Sequence, residues 1–250
     1  LADDTLRRLI DLTADNPAGY LRLALLRERM GDSEGAGVVL DELLSRDPTS
    51  AVAQTALARI QQAQPDTDAL AKTAQQILRT RPEHPLGHYL SGVVEQRRGD
   101  AEASIPHFLT ALAKEPRAAQ ALVALTRSYL ALERYDAAEK QLRKALDDGA
   151  DVIVATNLLG EVYLAADRRD EAKSAYEKAI AERRGAPLAY ERLAGLQLDD
   201  GDTAGAIKTL RTGIEASQGS PLLTGVLPIV LERSGRIDEA IVAYEAVLAA

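Results

Sequence analysis

Small apolar residues recur along the chain at a constant interval. Division at residues 17, 51, 85, 119, 153, 187 and 221 yields seven segments in one register without an insertion. Position 8 of a segment is small in six cases: Ala24, Ala58, Gly92, Thr126, Gly160 and Ala194. Position 20 is also small in six cases: Ala36, Ser104, Ala138, Ala172, Ala206 and Ala240. Small residues at two fixed positions predict two helices whose backbones approach closely at those points.

Larger apolar residues accompany the small ones. Position 7 is leucine in six of the seven segments, and position 24 is leucine, phenylalanine or tyrosine in six. Apolar residues at positions 4, 7, 8 and 11 have helical spacing, and a glycine near position 15 often separates them from a second helical pattern. We therefore predict that each segment is a helical hairpin and that the chain is all-α.

Prolines mark the junctions between segments. They lie one segment length or a multiple of it apart in two sets, Pro48, Pro82 and Pro116, and Pro17, Pro85, Pro187 and Pro221. In the stretch RPEHPLGHYL, a continuous helix would place His84 and His88 on one face, as in many zinc sites. Pro85 can begin a helix but cannot lie in its interior. We predict a junction there, and no metal site, because His107 is predicted to lie on another helix.

This pattern resembles the tetratricopeptide repeat, a 34-residue helix–turn–helix unit. The resemblance is carried by the small residue at position 8, glycine near 15, alanine at 20, an aromatic residue or leucine at 24 and proline at 32. It is best in NLLGEVYLAADRRDEAKSAYEKAI (157–180) and LERSGRIDEAIVAYEAVL (231–248). The resemblance implies a right-handed superhelical solenoid of antiparallel helix pairs, in which the first helices line a concave groove.

The register predicts the following division of the chain. Residues 1–16 are the second helix of a truncated repeat, and the repeats are 17–50, 51–84, 85–118, 119–152, 153–186, 187–220 and a shortened 221–250. Repeat 51–84 is divergent because Pro65 and Leu70 occupy positions 15 and 20. Pro228, at position 8 of the last repeat, predicts a bend in a first helix. We expect the chain to be a fragment of a longer bacterial array, since arrays need polar capping repeats.

Composition excludes several classes of function. A net charge of −8 argues against a nucleic-acid surface, and no apolar run reaches the length of a membrane span. The absence of cysteine excludes disulfides and thiolate chemistry. There is no glycine-rich phosphate loop and no Ser-His-Asp order. We expect no catalytic residues, no cofactor and no direct membrane insertion.

The surface of the first helices is the candidate binding site. All seven lysines lie on predicted second helices, so by resemblance the groove lacks the lysines with which some members of the family bind a chaperone's C-terminal carboxylate. Groove positions of the third repeat carry Leu86, Tyr89 and Val93, and position 9 of the flanking repeats carries Arg59 and Arg127. In the fifth repeat, groove positions carry Asn157 and Glu161.

We expect Val93 to lie between the two arginines, in a hot spot for a segment with an apolar anchor and acidic flanks. The alternative is that Tyr89 only covers the first helices and that the arginines pair with acids such as Glu95 or Glu161. The expected function is a non-catalytic scaffold for a partner protein or peptide.

The biological setting stays open at this stage. Arginine outnumbers lysine 23 to 7, which suggests a bacterial gene. Similar arrays occur in bacterial exopolysaccharide export and envelope assembly proteins, and this parallel favours the periplasm or the outer membrane over the cytoplasm. The alternatives are a substrate-recruiting arm of a larger enzyme such as a transferase, and a self-assembling module.

Overall fold

The computed structural model describes residues 2–12 and 16–248, which form fifteen α-helices and no strand. The all-α prediction is confirmed. The helices are α1 (Ala2–Leu12), α2 (Pro17–Arg29), α3 (Ser33–Arg46), α4 (Ala51–Ala63), α5 (Thr67–Thr80), α6 (Pro85–Arg97), α7 (Ala101–Lys114), α8 (Ala119–Ala131), α9 (Tyr135–Asp147), α10 (Val152–Ala165), α11 (Arg169–Glu182), α12 (Pro187–Asp199), α13 (Thr203–Ala216), α14 (Pro221–Arg233) and α15 (Ile237–Leu248). Residues 1, 13–15, 249 and 250, which belong to the first and last predicted segments, lie outside this description.

Helix starts follow from the local sequence. Four first helices, α2, α6, α12 and α14, begin at a proline, whose missing amide hydrogen costs nothing in the first turn. Second helices begin with an aspartate cap in four cases, since Asp32, Asp66, Asp100 and Asp202 each accept a hydrogen bond from the backbone N–H three residues later. In these four hairpins the cap marks the residue at which the second helix begins.

In six repeats the turn between the paired helices has a positive φ angle at position 15. Gly31, Gly99, Gly201 and Gly235 supply it in four repeats. Glu133 and Asp167 occupy the same position in two others, with φ angles of 54° and 59°. Pro65 cannot adopt this conformation. In that repeat, Arg97 of α6 instead donates hydrogen bonds to the carbonyls of Gln62 and Gln64 at the end of α4.

The chain comprises two compact units, Leu1–Glu115 and Pro116–Ala250. In the first unit, buried Tyr20, Leu23 and Leu40 form one core cluster, and Leu70, Ile77 and Leu90 belong to a second. In the second unit, the fully buried side chains include Leu125, Leu142, Tyr176 and Leu210. Within each unit, successive helices pack against one another along the chain. α14 runs unbroken through Pro228, which is buried.

In two repeats the small residue at position 8 is a glycine that lies against an aromatic ring of the paired helix. A Cβ on Gly92 would lie 2.5 Å from Cε1 of Phe108, and a Cβ on Gly160 would collide with the ring of Tyr176. The close approach expected from the sequence is present at both sites. No helix in the described part of the chain is both long and apolar enough to span a membrane.

Candidate partner-binding surface

In the first unit, the first helices α2, α4 and α6 carry the groove positions. α2 contacts α4, and the Arg59 guanidinium of α4 forms an ion pair of 2.5 Å with Glu28 of α2. On the other side of α4, the Tyr89 hydroxyl of α6 donates a hydrogen bond to Oε1 of Gln62, at 3.1 Å. These side-chain contacts link the three helices.

Leu86, Tyr89 and Val93 are half-buried rather than fully open. All three pack against the core cluster around Leu70, Ile77 and Leu90. The Tyr89 ring also lies 6.1 Å, centroid to centroid, from the ring of Phe108. The position of Tyr89 is therefore fixed by the core cluster, by Phe108 and by its hydrogen bond to Gln62, and its side chain stays partly exposed.

The Arg59 guanidinium pairs with Glu28 of α2. Its side chain nevertheless remains 62% exposed. Such a surface pair contributes little stability, so an incoming carboxylate can compete for the guanidinium at small cost.

Two further apolar side chains of the same surface were not predicted from the sequence. Leu25 of α2 is 46% exposed and Val52 of α4 is 52% exposed. Leu25 is at position 9 of its repeat, like Val93, and Val52 is at position 2, like Leu86. The repeat register could therefore have predicted both residues. We call Leu25, Val52, Arg59, Leu86, Tyr89 and Val93 together the first-helix surface.

The other three predicted residues lie in the second unit. Arg127 is exposed on α8. Glu161 pairs with Arg192 of α12 at 3.1 Å. Asn157 is only 3% exposed, and its Nδ2 donates to the carbonyl of Ile153, while its buried Oδ1 has no partner among the described residues. Asn157 is therefore a buried residue of α10.

Tyr176 lies on the other side of the Gly160 contact. Burial raises the pKa of its hydroxyl to about 12, and nearby Glu161 adds to that rise. Its hydroxyl, like Oδ1 of Asn157, is buried without a partner among the described residues. Leu188, Leu222 and Ile229 are the exposed apolar side chains at groove positions of this unit.

A cleft of about 350 Å³ lies between α9 and α11, with α10 as its floor. At one end, the Tyr163 hydroxyl donates to Glu139 and accepts from Arg143, and the Arg168 guanidinium lies 4.5 Å from the ring centroid. Burial alone would raise the pKa of Glu139, but hydrogen bonds from Arg168, Arg143 and Tyr163 hold it below its ordinary value. The Glu139 carboxylate beside the cleft therefore has its hydrogen bonds satisfied.

The two histidines that are neighbours in the fold are not the two that are closest in the sequence. His84 precedes α6, while His88 of α6 and His107 of α7 are neighbours, with 3.5 Å between their Nδ1 atoms. No group of three or more histidine, aspartate or glutamate side chains that could hold a metal ion is found within residues 2–12 and 16–248.

Paired helices that recur at a constant interval and pack in sequence define a helical repeat protein. The tetratricopeptide repeat family model matches residues 96–162 and 163–227, more than half of the chain, and a second tetratricopeptide repeat model matches residues 18–50. The chain belongs to the tetratricopeptide repeat family, whose fold serves as a scaffold for protein–protein interaction. No curated protein matches the chain.

Solved structures show the same fold. A tetratricopeptide repeat protein from Parabacteroides merdae ATCC 43184 is 18% identical, with a TM-score of 0.62 over 92% of this chain and 91% of that one. PilW, described as a widely conserved type IV pilus biogenesis factor, is 19% identical, with a TM-score of 0.63 over 83% of this chain and 96% of that one. YrrB, described as a repeat protein with an unusual peptide-binding site, is 18% identical, with a TM-score of 0.51 over 74% of this chain and 96% of that one.

Proposed function

We propose that this chain is a non-catalytic scaffold that binds a segment of a partner protein on the first-helix surface. The observation that carries the proposal is the exposure of Leu25 and Val52 beside Arg59 and the half-buried Tyr89. An aromatic ring and an arginine are residues that binding hot spots favour, and the exposed leucine and valine add apolar contact area around them. Repeats of this family are typically non-catalytic, which agrees with the role.

The chemistry of the surface indicates the kind of segment that fits it. Leu25 and Val52 offer apolar contact area that is already exposed, so no core residue has to move. The Arg59 guanidinium is the adjacent positive group, and all lysines of the unit lie on second helices or at their ends. A segment with aliphatic or aromatic anchors and an acidic flank satisfies both features.

The proposal can be tested in two steps. A photo-crosslinking amino acid at position 52 should capture the partner, whereas the same group at Lys72, exposed on the second helix α5, should not. Binding is then measured for Val52→Asp, Arg59→Glu and Tyr89→Ala, with Lys72→Glu as the matched control. We expect each groove variant to weaken binding by about 1–2 kcal/mol, near tenfold, with the fold intact. Equal affinities for groove variants and control would exclude this surface.

Arg127 and Glu161 stay predicted contributors in the second unit. Arg127 offers an exposed positive group. Glu161 is already paired with Arg192, so a partner protein must displace Arg192 in order to bind Glu161. Because Asn157 is buried, a contact with it requires α10 to rearrange. We therefore propose that in this unit Arg127, rather than Asn157, meets a partner, together with the exposed Leu188 and Ile229.

Self-association is a second candidate, favoured by the exposed face of α15. Ile207 and Leu210 of α13 belong to a core cluster that includes residues of α14. Ile241 and Tyr244, at the same two positions of the next repeat, are 50% and 39% exposed. We expect light scattering to show concentration-dependent assembly that Ile241→Lys abolishes and that Val38→Lys, at an exposed site on α3, leaves unchanged. A monomer at all concentrations would exclude this candidate.

The wider setting is proposed on the sequence resemblance alone. A place in a bacterial envelope or exopolysaccharide export assembly is the setting we favour, and the substrate-recruiting arm of a transferase is the alternative. Identification of the crosslinked partner separates them, since an assembly component supports the first and an enzyme substrate supports the second.

A further inference from the structure

Two histidines from paired helices face each other in the third repeat. The Nδ1 atoms of His88 and His107 are 3.5 Å apart. The ring centroids are 5.8 Å apart, which is close to the Nδ1 separation plus the two ring radii. The two nitrogens therefore face each other nearly head on. Both rings are half-buried.

The surroundings determine which nitrogen carries each proton. Nε2 of His88 lies 2.9 Å from the carbonyl oxygen of Pro82, and a carbonyl oxygen can only accept a hydrogen bond. In neutral His88 the proton is therefore on Nε2, and Nδ1 presents a lone pair. A hydrogen bond between the rings then requires the proton of His107 to be on Nδ1. One N–H lies between the two rings.

This arrangement tolerates one additional proton but not two. The first can enter at Nε2 of His107, which leaves the N–H between the rings in place and makes the bond charge-assisted. The second must protonate Nδ1 of His88. Two N–H donors and two positive charges then face each other across 3.5 Å, and the hydrogen bond is lost.

We propose that His88 and His107 form a proton-operated latch between α6 and α7, closed with at most one added proton and opened by the second. Pro82 extends the latch to the loop between α5 and α6, because its carbonyl fixes the ring of His88. Among the described residues no third side chain completes a metal site with the pair.

The neighbouring charges do not remove the conflict. Burial lowers the pKa of His107, the charge of His88 lowers it further, and Glu95 on α6 opposes both. Glu83, in the loop after α5, lies near His88 but is held by Lys114 at the end of α7. α5 faces this part of α6 with the apolar side chains of Ile77 and Leu78.

The latch is adjacent to the first-helix surface. Tyr89 follows His88, Phe108 follows His107, and the two aromatic rings are in contact. An opening between α6 and α7 would disturb the support of Tyr89, so partner binding should weaken in acid. This consequence rests on the proposed function, whereas the latch itself can be tested on the chain alone.

Nitrogen-15 NMR of the histidine rings tests the latch directly. At pH 8 we expect the Nε2–H tautomer at His88 and the Nδ1–H tautomer at His107. On titration, the pair should lose its protons in two separate steps. In His88→Gln, His107 should titrate in one step at a changed pH, while His84→Gln should leave the pair unchanged.

Three results would overturn the proposal. They are an Nε2–H tautomer at His107, identical titration of His107 with and without His88, and an equal effect of His84→Gln. The tautomer measurement uses the unaltered chain, so it decides even if a variant does not fold. Hydrogen exchange provides the structural readout: between pH 7 and 4.5, protection in α6 and α7 should fall at least about tenfold relative to α2 and α3. An equal loss of protection from hydrogen exchange in all four helices would also contradict the latch.

Discussion

Gly92 of α6 lies directly against the ring of Phe108 on α7, where a methyl group would come within 2.5 Å of Cε1. The aromatic residue at position 24 occupies the space that the small residue at position 8 leaves free. This pair, repeated as Gly160 and Tyr176, sets how closely the two helices of a repeat approach.

Gly92→Ala should therefore destabilise the chain although alanine favours helices. We expect a loss of about 1–3 kcal/mol in the free energy of unfolding, because the Phe108 ring or the helix must shift. The matched control is Gly195→Ala in α12, where an added Cβ meets nothing within 4 Å. That change should stabilise by up to about 1 kcal/mol. Denaturant unfolding of both variants measures the difference, and the same sign at both sites would contradict the packing account.

The turn residues offer a test of backbone strain. Glu133 has a φ angle of 54° at the position where Gly99 has a φ angle of 83°. Glu133→Gly should stabilise by about 0.5–1 kcal/mol, since glycine adopts this conformation without a steric penalty but gains freedom in the unfolded state. Gly99→Ala should destabilise by about 1 kcal/mol, although no atom lies within 4 Å of the new Cβ. Thermal unfolding of the two variants checks the opposite signs.

Arg97 should be a structural residue of the divergent repeat. Its guanidinium donates to the carbonyls of Gln62 and Gln64, in a repeat whose turn glycine is replaced by Pro65. Arg97→Ala should cost about 1–3 kcal/mol, because these bonds involve a charged donor. Arg98→Ala is the neighbouring control: Arg98 forms exposed ion pairs with Asp68 and Glu95, and its loss should cost less than about 1 kcal/mol. If urea unfolding shows equal losses of stability for the two variants, the hydrogen bonds from Arg97 to the carbonyls do not stabilise the repeat more than an exposed ion pair does.

Stability should fall in mild acid. Burial lowers the pKa values of His84 and His107 below the ordinary 6.5, so the unfolded chain binds protons at a higher pH than the folded one. The free energy of unfolding should therefore decrease as the pH falls from about 7 through the lowered pKa values, and the histidine contribution should level off below them. The carboxyl groups with lowered pKa values, such as Glu139, lose their contribution only at lower pH. Urea unfolding from pH 8 to 5 measures the slope, which His84→Gln with His107→Gln should flatten.

Local pattern determined most of the architecture. Pro85 begins α6 and Asp100 caps α7, because the chemistry of a helix start depends on residues within one turn. The small residue at position 8 and the aromatic at 24 indicated which helix faces meet. Pro228 was expected to bend its helix; α14 continues through it as one helix, and the bend itself stays a prediction.

Tertiary packing decided the candidate site. Asn157 and Tyr89 occupy the same position of their repeats, but Asn157 is buried and Tyr89 is half-exposed. Arg59 could have paired with several acids, and only the packing of α2 against α4 selected Glu28.

The histidines show most clearly what the sequence determined and what only the tertiary structure determined. The sequence by itself determined that Pro85 excludes a helix through both His84 and His88, because a proline's effect on the backbone is local. It could not show that His88 meets His107 nineteen residues away. That contact depends on the rotation of α6 and α7 about their axes, which the packing of Gly92 against Phe108 helps to set and which no local pattern encodes.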